Sequence, residues 1–293
     1  MKNSVTLYVV ATPIGNAEDI GARAIHVLRE ADVIACEDTR RTGRLLSDHQ
    51  ITTPMVSYFE HNETQRILQL IARLEGGESI ALVTDAGTPA ISDPGYRLVQ
   101  AAIVAGIRVS AVPGPSAVIA ALSIAGLPTD RFVFEGFLPT KAGERRRALE
   151  RLRSESRTIV FYEAARRLVE TLDTMIEVFG NDRQGVVTRE LTKTYEEVAR
   201  GSLAGLCSHF IEHEPLGEVT IVLAGAPETE SKSATEAGFD EAAAIAVLRD
   251  RGLSLKDASE VIAKLTGKRR REIYQRTLQT NLTPSPFPKG NGN

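Results

Sequence analysis

The sequence predicts an α/β protein in two parts, followed by a small all-α domain. Short apolar runs alternate with amphipathic helical stretches over residues 7–125, the alternation resumes over residues 132–224, and only helical patterns follow residue 239. Such alternation is typical of α/β folds that contain a mostly parallel sheet. The 293 residues, 42% hydrophobic and 25% charged, suffice for about two domains of ordinary globular composition.

The first part contains five short apolar runs that predict buried strands, and apolar residues spaced three and four apart predict helices between them. The predicted strands span residues 7–11, 33–36, 55–58, 80–84 and 109–112, and the predicted helices span residues 20–31, 63–74 and 95–105. Ser116 follows the last strand and is expected to begin a helix. We expect a mostly parallel sheet here.

The second part predicts a mixed sheet, because the two runs that flank Lys193 are close enough to form a hairpin. Its predicted strands span residues 132–135, 158–162, 184–189, 196–201 and 218–224, and its predicted helices span residues 143–154, 167–179 and 203–213.

A linker and a helical domain follow. Residues 226–238 lack periodicity and contain Pro, Glu, Ser and Lys, which is typical of a linker. Helical patterns then span residues 240–251, 255–265 and 268–279, with a capping box at residues 254–257 and a turn at Thr266-Gly267. We therefore expect α/β domains over residues 1–126 and 127–226, a linker over 227–238, a helical domain over 239–280 and a disordered tail over 281–293.

Charge is distributed unevenly along a chain whose net charge is only −3. Residues 141–157 contain seven basic and three acidic residues, and residues 264–276 contain six basic residues and one acidic residue. The rest of the chain is acidic. Either basic island alone is as compatible with a solvated helix face as with a binding surface, but two islands on an acidic protein favour a polyanionic partner.

Cysteine content and hydropathy indicate the compartment. Only Cys36 and Cys207 are present, which excludes a disulfide framework and fits a reducing compartment. There is no apolar stretch behind the first residues and no apolar run of 18 residues, so we expect a cytoplasmic protein without a membrane partner.

Three loops rich in Pro and Gly follow strands of the first part and are candidate ligand-binding segments. They span residues 12–16, 85–95 and 113–117, and all lie at the carboxyl ends of strands, where open α/β sheets bind ligands. Pro and Gly can simply turn the chain in the two short loops. A loop of 11 residues is longer than the usual connection in a compact α/β unit, and loops of that kind are usually functional.

Several common motifs are absent or unconvincing. Neither G-x-G-x-x-G nor G-x-x-x-x-G-K-[ST] occurs, so a nucleotide-like ligand would need another binding mode. Residues 209–213 match H-x-x-E-H, but no further ligand follows this short helix, and no metal site is predicted.

These motifs together resemble the ribosomal RNA small subunit methyltransferase I family, a tetrapyrrole-methylase-like (class III) family of S-adenosylmethionine methyltransferases. The resemblance rests on residues 7–16, 36–40, 58–63, 85–96, 113–117, 126–132, 134–139 and 189–193. It extends from about residue 7 to residue 225, and the last helices resemble the family's helix-turn-helix-like domain. One departure is Ala164-Ala165-Arg166-Arg167, where the family usually has Ser-Pro-His-Arg.

The resemblance implies a fold and an activity. The fold is two α/β domains of the tetrapyrrole methylase type with S-adenosyl-L-methionine in the interdomain cleft. The activity is methylation of the ribose 2′-hydroxyl of a cytidine in the decoding region of small-subunit (16S) rRNA by a homodimer. The substrate would be the rRNA itself or the assembled small ribosomal subunit.

Specific residues are expected at this site. We expect the cofactor to contact Pro13, Gly15, Asp85, Gly87, Thr88, Ile91, Ser92, Ser116, Ala117 and Tyr162. We expect the incoming ribose to be surrounded by Glu37, Asp38, Arg40, Glu190 and Lys193. The candidate catalytic residues among them are Glu37, Asp38, Glu190 and Lys193. The residues around position 38 could equally form a helix cap, and Glu190 with Lys193 could equally form a hairpin ion pair.

RNA is expected to bind both basic islands. The candidate contacts are Lys141, Arg145, Arg146, Arg147, Arg151, Lys268, Arg269, Arg270 and Arg271, together with Arg40.

Two alternative functions stay open at this point. The first is a tetrapyrrole (precorrin-type) C-methyltransferase on the same fold, which would have no need of an Arg-rich helix. The second is a non-catalytic nucleic-acid-binding protein that uses the C-terminal helices, which would leave the long loop at residues 85–95 unexplained.

Overall fold

The computed structural model describes residues 5–227 and 241–280. The chain forms two compact units, Met1–Ala226 and Pro227–Asn293. Because both sheets lie in the first unit, the predicted division at residue 126 stays a prediction. The predicted linker, apart from Pro227, and the predicted tail both lie outside the described residues. Among the described helices, none is long and apolar enough to cross a membrane.

The first sheet is entirely parallel. Its strands are β1 (Thr6–Val10), β2 (Val33–Cys36), β3 (Met55–Ser57), β4 (Ile80–Leu82) and β5 (Arg108–Val112), in the order β3-β2-β4-β1-β5. The predicted parallel sheet is confirmed. The first and last residues of each strand lie within two residues of the predicted bounds. All strand carboxyl ends therefore meet at one edge of the sheet.

Helices cover both faces of this sheet. They are α1 (Ala22–Glu30), α2 (Thr39–Asp48), α3 (Glu63–Glu75) and α4 (Tyr96–Val104), whereas α5 (Ala117–Ala125) packs elsewhere. Ile34 and Cys36 pack in the cluster that contains residues of α1 and α2. Val33 and Ala35 pack in the cluster that contains residues of α3 and α4. Strand side chains alternate between faces, so a strand buried on both faces must be continuously apolar, as β2 is.

The sequence analysis identified α1, α3 and α4 but missed the span of α2 and α5. Helix α2 is mostly polar, and its buried residues are only Thr42 and Leu46, so it lacks the run of apolar residues by which the other helices were recognised. Helix α5 is apolar on every side and so has no amphipathic pattern. The prediction that Ser116 begins a helix is confirmed, because Ser116 is the N-cap of α5.

The second sheet is mixed, as predicted. Its strands are β6 (Phe132–Phe137), β7 (Thr158–Ala164), β8 (Gln184–Arg189), β9 (Glu197–Ser202) and β10 (Glu218–Leu223), in the order β6-β7-β10-β8-β9. Strand β6 is parallel to β7, and the other pairs are antiparallel. The predicted hairpin is the β8–β9 pair.

The two faces of the second sheet are covered by different parts of the chain. Helices α6 (Ala142–Glu150), α7 (Leu168–Phe179) and α8 (Leu203–Glu212) cover one face, where Phe161 and Ile221 are buried. The other face packs against α5 from the first part, where Val118 and Leu122 share a cluster with Val160 and Val222. This contact joins the two sheets.

The C-terminal unit has three helices, α9 (Glu241–Asp250), α10 (Leu255–Thr266) and α11 (Arg270–Thr280). Ile245, Ile262 and Ile273 form its core. The predicted cap of α10 is confirmed, because Ser254 Oγ accepts a hydrogen bond from Asp257 N at 3.1 Å. Gly267 ends α10 in the left-handed conformation, so the predicted turn is also confirmed.

The prediction that Arg145 contacts RNA is wrong. Its side chain is 1% exposed, because helix α6 directs it towards α7. There Arg145 Nε donates to Thr174 Oγ1 at 3.2 Å, and the guanidinium pairs with Glu170. A charge run in a sequence does not reveal which of its members faces a neighbouring helix.

We expect Arg145→Ala to lower the free energy of unfolding by about 2 kcal/mol, because Thr174 and Glu170 lose a charged hydrogen-bond partner. The exposed neighbour Arg147 provides the matched control, and Arg147→Ala should change stability by less than about 0.5 kcal/mol. Urea denaturation monitored by circular dichroism measures both. Equal stability of the two variants would contradict a structural role for Arg145.

Candidate active site

A cavity of about 440 Å³ lies at the carboxyl edge of the first sheet. Four of its lining residues follow four different strands: Ile14 after β1, Glu37 after β2, Asp85 after β4 and Ser116 after β5. Ligands of open α/β sheets bind at this edge. The structure therefore has a cavity at the place where the sequence predicted the ligand-binding loops.

The second sheet closes the cavity from the opposite side. Tyr162 on β7, Thr188 on β8 and residues 217–220 at the start of β10 line it. The ring of Tyr162 packs against Phe134 and Phe137, with centroid distances of 4.9 and 5.5 Å. Burial raises the pKa of Tyr162, so its hydroxyl is neutral at physiological pH.

The long loop at residues 85–95 is fixed to the loop that follows β1. Thr12 N donates to Gly87 O at 2.8 Å, and Gly87 N donates to Thr12 O at 3.1 Å. Gly87 has φ +82°, a conformation that favours glycine. Thr88 Oγ1 donates to the carbonyl of Pro115 at 3.3 Å. These bonds hold three loops as one preformed rim.

A second contact joins this rim to the hairpin of the second sheet. Asn16 N donates to Thr192 Oγ1 at 2.9 Å. A Cβ on Gly15 would lie 2.5 Å from Lys193 Cγ, so only glycine allows this approach. Glu190 and Thr192 have φ values of +51° and +67°, and strained backbone of this kind is concentrated at functional sites.

Five acidic residues line the cavity: Glu37, Asp85, Asp93, Glu163 and Glu218, of which Glu163 is paired with Arg167. Thr84 Oγ1 donates to Glu37 at 3.1 Å, and Arg41 lies 3.4 Å from Asp85. Burial, followed by the negative charge of Glu37, raises the pKa of Asp93 to about 6, and the charges of Asp85 and Glu218 add to this. The site is therefore suited to a cationic ligand and contains a carboxylate that can exchange a proton near neutral pH.

The chain matches two family models. Residues 6–207 match the Tetrapyrrole (Corrin/Porphyrin) Methylases, and residues 236–281 match the RsmI C-terminal HTH domain. The Ribosomal RNA small subunit methyltransferase I of Pseudomonas aeruginosa is 48% identical over 94% of this chain and 97% of its own length. The chain belongs to the ribosomal RNA small subunit methyltransferase I family. Its relative of the same name from Synechocystis is 47% identical over 93% of this chain and 97% of its own length.

Solved structures show that this family member has the fold of the class III methyltransferases. A cobalt precorrin-4 methyltransferase aligns with a TM-score of 0.58 and 19% identity, over 75% of this chain and 94% of its own. A diphthine synthase aligns with a TM-score of 0.57 and 16% identity, over 78% of this chain and 94% of its own. The predicted fold class is confirmed: two α/β sheets of the tetrapyrrole methylase type with a C-terminal helical domain.

Most of the residues expected at the methyltransferase cofactor site do line the cavity. They are Asp85, Gly87, Thr88, Ile91, Ser92, Ser116, Ala117 and Tyr162. Pro13 and Gly15 do not line it, although Ile14 between them does. Gly15 instead contacts the hairpin at residues 190–193.

The four candidate catalytic residues are placed differently. Glu37 lines the cavity, whereas Asp38 is the N-cap of α2 and accepts a hydrogen bond from Arg40 N at 2.8 Å. The side chain of Arg40 donates to Asp38, which lowers the pKa of Asp38 to about 2. Asp38 and the exposed Arg40 thus form the helix cap that the sequence left open as an alternative.

Glu190 and Lys193 lie beside the lining residue Glu218. Lys193 Nζ is 2.9 Å from Glu190 and 3.2 Å from Glu218. Burial acts to raise the pKa of Glu190, but the hydrogen bonds from Lys193 and the backbone outweigh it and lower that pKa. Burial likewise acts to lower the pKa of Lys193, but the two carboxylates raise it overall. Both groups stay charged. Glu190 and Lys193 thus form the hairpin ion pair that the sequence left open as an alternative.

Sequence reasoning missed Asp93, Arg41 and Glu218 as members of this cavity. Asp93 lies in the long loop that was identified, and its position beside Glu37 becomes visible only once β2 and β4 are paired. Glu218 begins a strand of the second sheet, and no local signal marks it. The departure at residues 164–166 affects the cavity only through Ala164, because Arg166 is exposed and does not line it.

The remaining candidate RNA contacts are exposed. Arg146 pairs with Glu150 at 3.1 Å and with Glu177 at 3.0 Å, so its charge is balanced locally. Lys268 similarly pairs with Glu241 at 2.6 Å. The other exposed members are Lys141, Arg147, Arg151, Arg269, Arg270 and Arg271.

We expect Asp93→Asn to stabilise the fold at pH 8 and to have little effect at pH 4. The folded state raises the pKa of Asp93 from 3.8 to about 6, so its ionisation opposes folding increasingly between these values and fully above pH 6. The amide removes this cost. Urea denaturation at both pH values measures the difference, with Asp48→Asn, an exposed residue of α2, as the control. A stabilisation that does not depend on pH would contradict the linkage.

Proposed function

We propose that this chain transfers a methyl group from S-adenosyl-L-methionine to the 2′-hydroxyl of a cytidine ribose in the decoding region of small-subunit rRNA. The observation that carries the proposal is the convergence of five acidic residues in one preformed cavity at the strand carboxyl edge. Such a site favours a small cationic ligand over a phosphate or a neutral molecule. Family membership supplies the class of reaction.

The residues of the cavity fit the proposed methyl donor. A volume of about 440 Å³ is within the range of about 300–1,000 Å³ that is usual for small-molecule sites. Gly87 permits close approach of the backbone, Thr88 and Ser116 supply hydroxyl groups, and Ile91 supplies apolar contact. When bound, the donor supplies an electrophilic methyl group, whose bond to sulfur breaks with its electron pair remaining on sulfur. The chain itself contributes alignment and exclusion of water.

Asp93 is the proposed proton acceptor. The attacking ribose oxygen forms the new O–CH₃ bond, and its proton passes to the Asp93 carboxylate and then to solvent. A base is most effective when its pKa lies near the working pH, and the pKa of about 6 places Asp93 closer to that range than an ordinary aspartate. Glu37 is a positioning residue in this proposal, because its charge adds to the effect of burial in raising the pKa of Asp93.

The RNA backbone must be held away from the acidic cavity. The exposed arginines of α6 and of the C-terminal unit are the proposed phosphate contacts. The proposed substrate is the assembled small ribosomal subunit in the cytoplasm, with free rRNA as the comparison in the assay. We further propose a homodimer, supported by apolar side chains that α5 leaves exposed, Ile119 among them at 56%.

The test is a methyl-transfer assay with radiolabelled donor and small ribosomal subunits, followed by nuclease mapping of the labelled nucleotide. A tetrapyrrole C-methyltransferase would leave the subunits unlabelled. A binding protein without activity would fail to bind the donor in calorimetry. Label on a cytidine 2′-oxygen is the expected result.

In that assay, we expect Asp93→Asn to reduce the single-turnover rate at saturating donor by about 10²- to 10⁴-fold, the usual contribution of a general base. The kcat/KM of the wild-type chain for the donor should rise with pH through about 6, because the carboxylate must be ionised to accept a proton. Glu37→Gln should shift this midpoint to lower pH, since one negative charge beside Asp93 is removed. A wild-type rate for Asp93→Asn would eliminate Asp93 as the base.

Salt dependence tests the basic islands. We expect Arg147→Ala with Arg151→Ala to weaken binding to small subunits and to reduce the slope of log K against log[salt] by about 0.7 for each lost contact with single-stranded RNA. The pair Arg269→Ala with Arg271→Ala should act in the same way. Arg131→Ala, an exposed arginine outside both islands, is the control and should leave the slope unchanged. Unchanged slopes in both double variants would place the RNA contacts elsewhere.

A further inference from the structure

A second cavity, of about 420 Å³, adjoins the first. The two cavities share Ser92 and Asp93, which therefore form the wall between them. The second cavity also includes Glu63 of α3 and Tyr96 and Arg97 at the start of α4. None of these three residues contributes to the proposed donor site.

The backbone of the wall is held in an uncommon conformation. Ala90 and Ser92 have φ values of +70° and +63°. Gly95 has φ +139°, and a Cβ there would lie 3.0 Å from Leu82 Cδ2 and 3.3 Å from Ala90 N. Residues other than glycine adopt such conformations only where their surroundings enforce them, and they are concentrated at functional sites. Asp93, which lines both cavities, lies within this restricted segment.

The side chains of the second cavity differ from those of the first. Tyr96 is 65% exposed, so the face of its ring is available to a ligand. Glu63 is buried, accepts a hydrogen bond from the Tyr58 hydroxyl at 2.6 Å and lies 3.5 Å from Arg97. An exposed aromatic ring therefore stands beside a guanidinium donor and a carboxylate acceptor.

We propose that the second cavity binds the base of the acceptor nucleotide, stacked on Tyr96 with its hydrogen-bonding edge towards Arg97 and Glu63. This inference rests on the proposed function and adds the site of the nucleotide to it. The shared wall then places the ribose of that nucleotide at Asp93, between the base and the methyl donor.

The chemistry of the cavity favours a nucleotide base over other ligands. Proteins that bind single-stranded RNA stack bases on aromatic side chains and hydrogen-bond to the base edges. Arg97 donates and Glu63 accepts, which matches the mixed donor and acceptor edge of a base. Because Glu63 offsets the charge of Arg97, this cavity has little net attraction for phosphate. Its position next to the donor cavity puts a bound nucleotide beside the site of the proposed reaction.

The experiment makes three measurements. The first is equilibrium binding of small ribosomal subunits in the absence of donor, the second is KM and kcat for the subunits, and the third is donor affinity by calorimetry. Stacking of a base on an aromatic ring contributes about 1–3 kcal/mol, so Tyr96→Ala should weaken subunit binding and raise KM by about 5- to 150-fold. Tyr96→Phe keeps the ring and should stay within about twofold of wild type. Arg97→Ala should also raise KM. Donor affinity should be unchanged in all three.

Val104→Ala is the matched control, since Val104 is an exposed residue of the same helix that lies outside the cavity. Subunit binding by Tyr96→Ala within twofold of wild type would overturn the inference, as would a loss of donor affinity equal to the loss of subunit binding. An inactive wild-type chain that binds no donor would instead refute the proposed function. The two failures are therefore distinguishable.

Discussion

The packing of helix α5 on the second sheet is the contact on which the active site depends. Val118 and Leu122 are buried against Val160 and Val222, and full burial of such side chains contributes about 1.5–3 kcal/mol each. The cavity is lined from both sheets, so its width is set by this contact and by the approach of Gly15 to the hairpin. A hydrophobic interface beside the cavity thus determines how closely the carboxylates face Tyr162.

Much of the fold could be predicted from local patterns. Every strand was identified within two residues of its observed bounds, because buried strands are short apolar runs bounded by turns. Helices α1, α3 and α4 were found because their apolar residues recur at spacings of three and four. Helix α5 was not delimited, since it carries apolar residues on its exposed side as well as on the side that packs against the second sheet, and so has no periodicity to detect.

The active site was predictable only in part. The loops were found from glycine, proline and length, and most of the expected cofactor residues line the cavity. Arg145 was misassigned because a run of basic residues on a helix does not show which member faces α7. Asp93 and Glu218 were missed as site residues because their proximity to Glu37 results from strand order and from the meeting of the two sheets. These relations are not encoded in neighbouring residues.

The negative charge of the cavity bears on the release of spent donor. In the proposed reaction a sulfonium becomes a neutral thioether of almost the same shape, so shape alone distinguishes the two molecules poorly. The acidic residues of the cavity, Glu37 among them, would distinguish the two by charge, because a carboxylate attracts a sulfonium but not a neutral thioether. Transfer of the methyl group abolishes that attraction. Product exchange is therefore favoured by the chemistry itself.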